Sequence, residues 1–439
     1  MDWLIPFCSI LGGLLLLMAM SVPVAFAFLI VSAMGVIFLQ GGVAAMPQLV
    51  LSIVSSVTSF ALVPIPLFVF MGVVLWHSKL AQQAVDALDK WLGRIPGRLA
   101  LLTIASGSVF SALSGSTMAN TAMLGTLLLP QLRRRGYSRD LSMGPIMAGG
   151  GLAMMIPPSA IGVILASIGK LSVAKILIGA IIPGLMMASL YVVYIVGRSL
   201  AQPNAAPVYD TEATGWRDRV SALVRDLLPL GLIIFSVTGL IVLGVATPTE
   251  AAALGALSSI ALVAFYRRLT WALIRAALFD SMRITVMTFT IMAAAIGFSQ
   301  ILAYSGATRG LLDTVLSANL SPLVLIIGTQ LIVLVLGCFM EQIAIMLITL
   351  PIFIPIIIAI GYDPIWFGVL MLINLETALM TPPLGLLLVV MKGVSPPDTT
   401  FGQIYSAAIP FVICNITVII LLIAFPEIVT SVINSIQTR

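Results

Sequence analysis

Apolar stretches long enough to cross a bilayer, about 20 residues each, recur from residue 4 to residue 425, and no separate soluble domain interrupts them. Three spans are predicted near 4–20, 22–40 and 48–76, with counterparts near 227–245, 249–265 and 280–303. Residues 77–98 are amphipathic and partly charged, a pattern that lies along an interface better than it crosses one. Residues 99–132 are again apolar but are broken at the middle by Ser114-Gly115-Ser116 and followed by Arg133-Arg134-Arg135. The longest polar stretch, Arg198 to Asp226, contains Gln202-Pro-Asn-Ala-Ala-Pro207 and reads as a linker.

Sliding the chain along itself by 225 residues pairs Pro23 with Pro248, Gly72 with Gly297, Pro130 with Pro355, and Pro157-Pro158 with Pro382-Pro383. With a two-residue slip, Ala180 and Pro183 also match Ala407 and Pro410. The chain is therefore expected to be a duplication. The first repeat, 1–200, holds scaffold spans 1–76, an arm 77–98, a hairpin 99–132, and a broken span with its following span, 141–198. After a cytoplasmic linker, 201–225, the second repeat, 226–425, holds scaffold spans 226–303, an arm 304–320, a hairpin 322–357, and a broken and following span, 365–425.

If 99–132 is a re-entrant hairpin, the first half crosses five times and the second is inverted relative to it. That places 17 basic residues, from Lys79 to Lys392, on one face and leaves Lys170, Lys175, Arg309 and Arg439 on the other. The positive-inside rule then puts both termini outside the cytoplasm. The expected fold is an all-α polytopic membrane protein of inverted repeats, with two re-entrant helical hairpins and broken transmembrane helices.

Composition narrows the classes further. Apolar residues make up 60% of the chain and charged ones 8%, with a mean hydropathy of +1.18, which no soluble globule accommodates. The first twenty residues lack a basic leader and a small-residue cleavage pattern, so they read as a retained span. Cys8, Cys338 and Cys414 lie far apart without metal spacing, and His77 is the one histidine, which excludes a histidine-based metal cage. The net charge of +5 comes from basic residues beside spans, which marks membrane orientation and not nucleic-acid binding. Neither a P-loop nor a His-Glu-x-x-His pattern is present, so nucleotide binding through a P-loop is excluded and an intramembrane enzyme disfavoured. No cofactor is expected.

Backbone that leaves the helix at membrane depth is tolerated only against protein or a water-filled cavity, so interruptions in apolar runs point to a site. The first is Ser114, Gly115 and Ser116 with Asn120, where hydroxyls and helix ends could meet an ion; a small-residue packing face is the alternative. The second runs from Gly149-Gly150-Gly151 to Pro157-Pro158-Ser159. It is expected to unwind and release carbonyls suited to sodium, or else to be a kink used for packing. The third and fourth are the repeat mates, Gly337 to Glu341 and Glu376 to Pro383, where Thr377, Thr381 and Pro382 supply further oxygens. Candidate sodium contacts are thus Ser114, Gly115, Ser116 and Asn120; Gly150, Gly151 and Pro157; Gly337 and Glu341; and Thr377, Thr381 and Pro382. Candidate substrate contacts are Ser116, Asn120, Ser159, Glu376 and Thr381. Glu341 and Glu376 qualify because an ionisable group in apolar surroundings is expensive, although either could be interfacial. Thr247-Pro248-Thr249-Glu250 reads as a capping box with a structural role.

At these residues the chain resembles the large membrane subunit of tripartite ATP-independent periplasmic (TRAP) transporters. The resemblance is carried by Ser114-Gly-Ser-Thr-Met-Ala-Asn120, Ile156-Pro-Pro-Ser159, Ala180-Ile-Ile-Pro-Gly184, Thr247-Pro-Thr-Glu250 and Thr381-Pro-Pro-Leu-Gly385. It implies an elevator-type secondary transporter in a bacterial inner membrane, with scaffold and transport domains and sodium as coupling ion. It also implies a small four-helix membrane partner, here a separate chain, and a periplasmic substrate-binding protein that delivers an organic acid: a C4-dicarboxylate, sialic acid or similar carboxylate. The two sodium sites it implies lie between hairpin tip and broken span in each half. The chain departs from the family by lacking a tyrosine near Ala166 and by carrying Ala378 where a glycine is common. A related divalent-anion and sodium symporter that needs no binding protein is the alternative.

Overall fold

The computed structural model describes residues 3–20, 22–92, 95–207, 215–318, 320–338, 340–382 and 385–437, and all regular structure among them is helical. The calls on Phe339, Pro383 and Leu384, and on the side chain of Ser114, lie outside the described residues. The chain opens with two apolar helices, α1 (Leu4–Ala19) and α2 (Val24–Leu39). The single span expected at 48–76 is two helices instead, an amphipathic α3 (Met46–Val57) and an apolar α4 (Pro64–His77), parted by a 3-10 turn at Phe60–Leu62. Proline explains the division. In the first turn of a helix it lacks only a donor that would be orphaned anyway, whereas inside one it removes a hydrogen bond and clashes with the preceding turn. Pro64 therefore begins a helix.

The amphipathic α5 (Leu80–Trp91) follows, bent by 73° from α4. Then come α6 (Arg98–Ser114), α7 (Thr117–Arg134), α8 (Arg139–Gly151), α9 (Ala160–Ile168) and the long α10 (Val173–Ala201). In the second half, α11 (Trp216–Val242) contains two π-helical stretches and α12 (Pro248–Phe265) starts at the expected capping box. There the Thr247 amide donates to Glu250 Oε2 at 2.8 Å and the Glu250 amide to Thr247 Oγ1 at 3.3 Å. Helix α13 (Trp271–Tyr304) begins well before the expected residue 280, because Thr270 caps it by accepting from the Leu273 amide. At 34 residues it is about 51 Å long. Its charged first part is anchored to the end of α4, where His77 Nε2 lies 2.8 Å from Asp280 Oδ2.

The remaining helices are α14 (Ala307–Ser317), α15 (Pro322–Gly337), α16 (Gln342–Ala359), α17 (Pro364–Leu379), α18 (Leu386–Val394), α19 (Phe401–Ala424) and α20 (Glu427–Gln437). Adding 225 to the bounds of α7 gives those of α16, and adding it to the start of α8 gives the start of α17. Six helices are long and apolar enough to cross a membrane, or seven if α4 and α5 form one bent span. By contrast α8 has 13 residues, α15 and α17 have 16 each, and α9 and α18 have 9 each. At about 1.5 Å per residue none of these reaches across a hydrocarbon core of about 30 Å.

Two packing groups organise the molecule. In one, α2 runs along α13, and α4 lies against α12 and α13. Small residues set the approach: a Cβ on Gly35 would meet Ile301 Cγ2 at 2.4 Å, and one on Gly297 would meet Leu49 Cδ1 at 2.8 Å. In the other, α6, α7 and α8 pack on one another, α19 closes on α8, and α15 lies along α17. The groups are crosswise in the middle, with α9 on α16 and α18 on α7. Phe38, Leu51, Phe265 and Trp271 are among the large apolar side chains left facing outward, as befits a surface solvated by lipid.

The α2–α13 contact yields a stability prediction. Gly35→Leu places a bulky side chain against a β-branched neighbour and is expected to destabilise the protein by about 1–3 kcal/mol. Gly231→Leu is the control, since a Cβ there meets nothing within 4 Å. Thermal unfolding of the detergent-purified variants checks this, and equal melting temperatures would refute the contact.

Candidate functional site

The first hairpin turns at Gly115, whose φ of +59° lies in the left-handed region that favours glycine. Ser116 caps α7 by accepting from the Ala119 amide at 3.4 Å. One turn further on, buried Asn120 reaches across the hairpin. Its Nδ2 donates to Gly107 O at 3.2 Å and Ser111 Oγ at 2.9 Å, and lies 3.4 Å from the carbonyls of both Gly149 and Gly150. Three of those four partners can only accept, which fixes the amide nitrogen toward them and the oxygen away. Asn120 thereby ties α6 and α7 to α8.

The glycine triplet corrects an expectation. Gly149, Gly150 and Gly151 do not unwind; they complete α8, and the helix gives way only beyond them, through a 3-10 turn at Leu152–Met154 and bends at 156–158. Their lack of side chains serves close approach instead, each toward a different neighbour. A Cβ on Gly149 would meet Thr103 O of α6 at 3.0 Å, one on Gly150 would meet Thr121 Oγ1 of α7 at 1.8 Å, and one on Gly151 would meet Glu376 Oε1 of α17 at 1.5 Å. Neighbouring helices hold these glycines in helical order, which offsets their entropic preference for other conformations.

Past the break, Ser159 caps α9 by accepting from the Gly162 amide at 3.1 Å. Thr238 of α11 donates to Pro157 O at 3.2 Å. The structure brings this break to the first hairpin tip, since a Cβ on Gly115 would sit 3.3 Å from Ala160 N and 3.7 Å from Pro158 O. Gly115, Ser116, Pro157 and Ser159 thus share one locality.

The second hairpin tip meets the second break in the same way. A Cβ on Gly337, the last residue of α15, would lie 2.2 Å from Ala378 Cβ, so the glycine stands on the hairpin side of this contact. Cys338 Sγ lies 3.3 Å from Pro382 O. Thr377 Oγ1 donates to Ile373 O and Thr381 Oγ1 to Thr377 O, each at 2.7 Å, which spends the hydroxyl protons on the helix and leaves oxygen lone pairs as acceptors. Glu341 is half-buried and precedes α16 without capping it through its side chain. Glu376, a candidate for touching substrate, is fully buried between α17 and Gly151, sealed away from any surface a solute could reach.

The hairpins and breaks leave four helix N-termini inside the molecule, those of α7, α9, α16 and α18. Each presents unpaired N–H groups and a partial positive charge. No lysine or arginine occurs between Arg98 and Arg133, between Arg139 and Lys170, or between Arg309 and Lys392. Sequence reasoning missed Gly107, Ser111, Thr121 and the pair Gln330 and Asn374, where Asn374 Nδ2 donates to Gln330 Oε1 at 2.9 Å. Polar side chains inside otherwise apolar helices were the available signal for the last three.

Comparison with known proteins follows this geometry. Residues 11–428 match the family described as the tripartite ATP-independent periplasmic transporter, DctM component. The chain is 31% identical to the C4-dicarboxylate TRAP transporter large permease protein DctM of Pseudomonas aeruginosa, over 84% of this chain and 85% of that one. It is 30% identical to the YgiK protein of Salmonella typhimurium, over 97% of each. Among solved structures, the YdaH transporter of Alcanivorax borkumensis shares the fold at a TM-score of 0.67 and 16% identity, over 87% of this chain and 89% of that one. The chain belongs to the DctM family, the large membrane component of TRAP transporters.

Proposed function

We propose that this chain is the translocating subunit of a sodium-coupled importer of an organic acid, a C4-dicarboxylate, sialic acid or similar carboxylate, in a bacterial inner membrane. A periplasmic binding protein delivers the acid, and a small four-helix membrane subunit, a separate chain, completes the transporter. The observation that carries this reading is the pairing of each hairpin tip with a broken helix in a region devoid of lysine and arginine. An anion brought there finds positive potential only at helix N-termini and at bound cations, which makes a co-bound cation part of the recognition. Ser114, Ser116 and Asn120 belong to one sodium site, and Thr377 and Thr381 to the other. The relative from Pseudomonas aeruginosa, named for C4-dicarboxylates, supports the substrate class.

Sodium dependence tests the assignment. Ser116→Ala and Thr381→Val each remove one oxygen with little change of volume. Each is expected to raise the sodium concentration for half-maximal uptake about tenfold, equivalent to about 1.4 kcal/mol. Uptake by proteoliposomes holding both membrane subunits and the binding protein measures it, with dicarboxylates and sialic acid as trial substrates. Unchanged sodium activation in both variants removes these hydroxyls from the sites.

Transport in this reading is a rigid-body movement of the two tip-and-break pairs against the group built on α2, α4, α12 and α13. Because Thr238 reaches Pro157 O, cysteines at Thr238 and Ser159 are expected to crosslink on oxidation, abolishing uptake until reduced. A crosslinked protein that transports at the full rate excludes the movement. The 17 basic residues on one face place both termini in the periplasm. A periplasmic reporter is therefore expected to be silent at Thr211 and active at the C-terminus, and the opposite pattern reverses the orientation.

A further inference from the structure

Glu376 stands outside both tip-and-break pairs, yet it is fully buried, and neither of its carboxylate oxygens has a hydrogen-bond partner among the described residues. A bare carboxylate inside protein at membrane depth is not tolerated; it must carry a proton or be compensated by a cation. Its surroundings suit that purpose. Oε1 occupies the place that a side chain on Gly151 would take. One residue earlier on α8, Thr121 Oγ1 occupies the corresponding place at Gly150 and is likewise buried and partnerless. The Gly150 carbonyl lies 3.4 Å from Asn120 Nδ2, and Asn120 Oδ1 is a further buried oxygen without a partner. Two adjacent glycines of one broken helix thus hold the unpaired oxygens of α7 and α17 close to the same turn of backbone.

These atoms are all oxygens, the donors that hard cations take. Among the titratable groups on helices packed against α17, Tyr191 of α10 is within electrostatic reach of Glu376, and it is a phenol that donates to Asn415 of α19. Cys414 of α19, Cys338 after α15 and Glu341 before α16 do not act on Glu376. Lysine and arginine are absent from α7, from α8 after Arg139, and from α17, apart from Arg133 and Arg134 at the far end of α7. No fixed cation is available to neutralise the acid.

We propose that Glu376, with Thr121 beside it, forms a buried monovalent-cation position at the crossing of the two broken helices α8 and α17, filled by sodium or by a proton. The use of this position in coupling rests on the function proposed above, but its occupancy does not, so the two can fail separately. Filled, it joins the halves of the duplicated chain through α8 and α17. Empty, it leaves a charge that pushes them apart or draws in water.

The test needs neither substrate nor partner. The purified chain in lipid nanodiscs is given sodium chloride in place of choline chloride, and proton release is followed with a pH dye. If sodium fills the position, it is expected to displace protons from the wild type and none from Glu376→Gln. The wild type's apparent sodium affinity then weakens by up to about tenfold per pH unit on acidification, as competition for one group requires. If a proton fills it, sodium releases nothing, but infrared spectroscopy shows a protonated carboxyl band that disappears at high pH and is missing from Glu376→Gln. Glu376→Asp keeps the acid and shifts the band, which assigns it even if the glutamine variant does not fold. A wild type that shows neither proton release nor a protonated carboxyl, or a glutamine variant that retains both signals, overturns the proposal. A position that passes this test in a protein whose uptake ignores sodium would retain the site and overturn the coupling.

Discussion

A polypeptide that stops being helical inside a membrane must find new partners for its amide and carbonyl groups, and the arrangement of this protein follows from how that demand is met. Ser116 and Ser159 each occupy an amide at a restarting helix. Thr238 comes from a distant helix to serve the carbonyl of Pro157, and the opposing hairpin tip covers what remains. The breaks can exist only because other helices come close enough to seal them, and closeness is what the glycines at 107, 149, 150, 151 and 337 supply.

The same closeness explains why polar side chains are found so deep. Asn120 can serve α6 and α8 at once because both backbones are within reach of a single amide. Such a network is stabilising only when its members are satisfied. The one place where it conspicuously is not, around Glu376, coincides with the contact between the two broken helices. Packing and chemistry are therefore not separable here, since moving α8 against α17 would also change the surroundings of the acid.

Much of this was legible in the sequence, for reasons that can be stated. The hairpin turn at Gly115 and the break at Pro157-Pro158 were visible because left-handed glycine and paired prolines impose local geometry whatever surrounds them. The capping box at Thr247 was visible because all its parts lie within four residues. The division of 48–76 was available from Pro64 and was hidden by an unbroken run of apolar residues. The fate of Gly149–Gly151 was not legible. A glycine triplet is compatible with unwinding and with tight packing alike, and the choice depends on Thr103, Thr121 and Glu376, which approach from three separate helices. The pairing of Gln330 with Asn374 was hidden in the same way, because neither residue suggests its partner.

The scarcity of basic residues around the hairpins and breaks also has an electrical meaning. A membrane voltage does work on charge that moves through it, about 2.3 kcal/mol per elementary charge per 100 mV. A voltage sensor carries fixed arginines for that purpose, but from Arg309 to Lys392 this chain has none between the two. The field across this part of the protein therefore has little of the protein itself to act upon. Whatever force it exerts on these helices is exerted through the ions they hold, and it changes each time one arrives or departs.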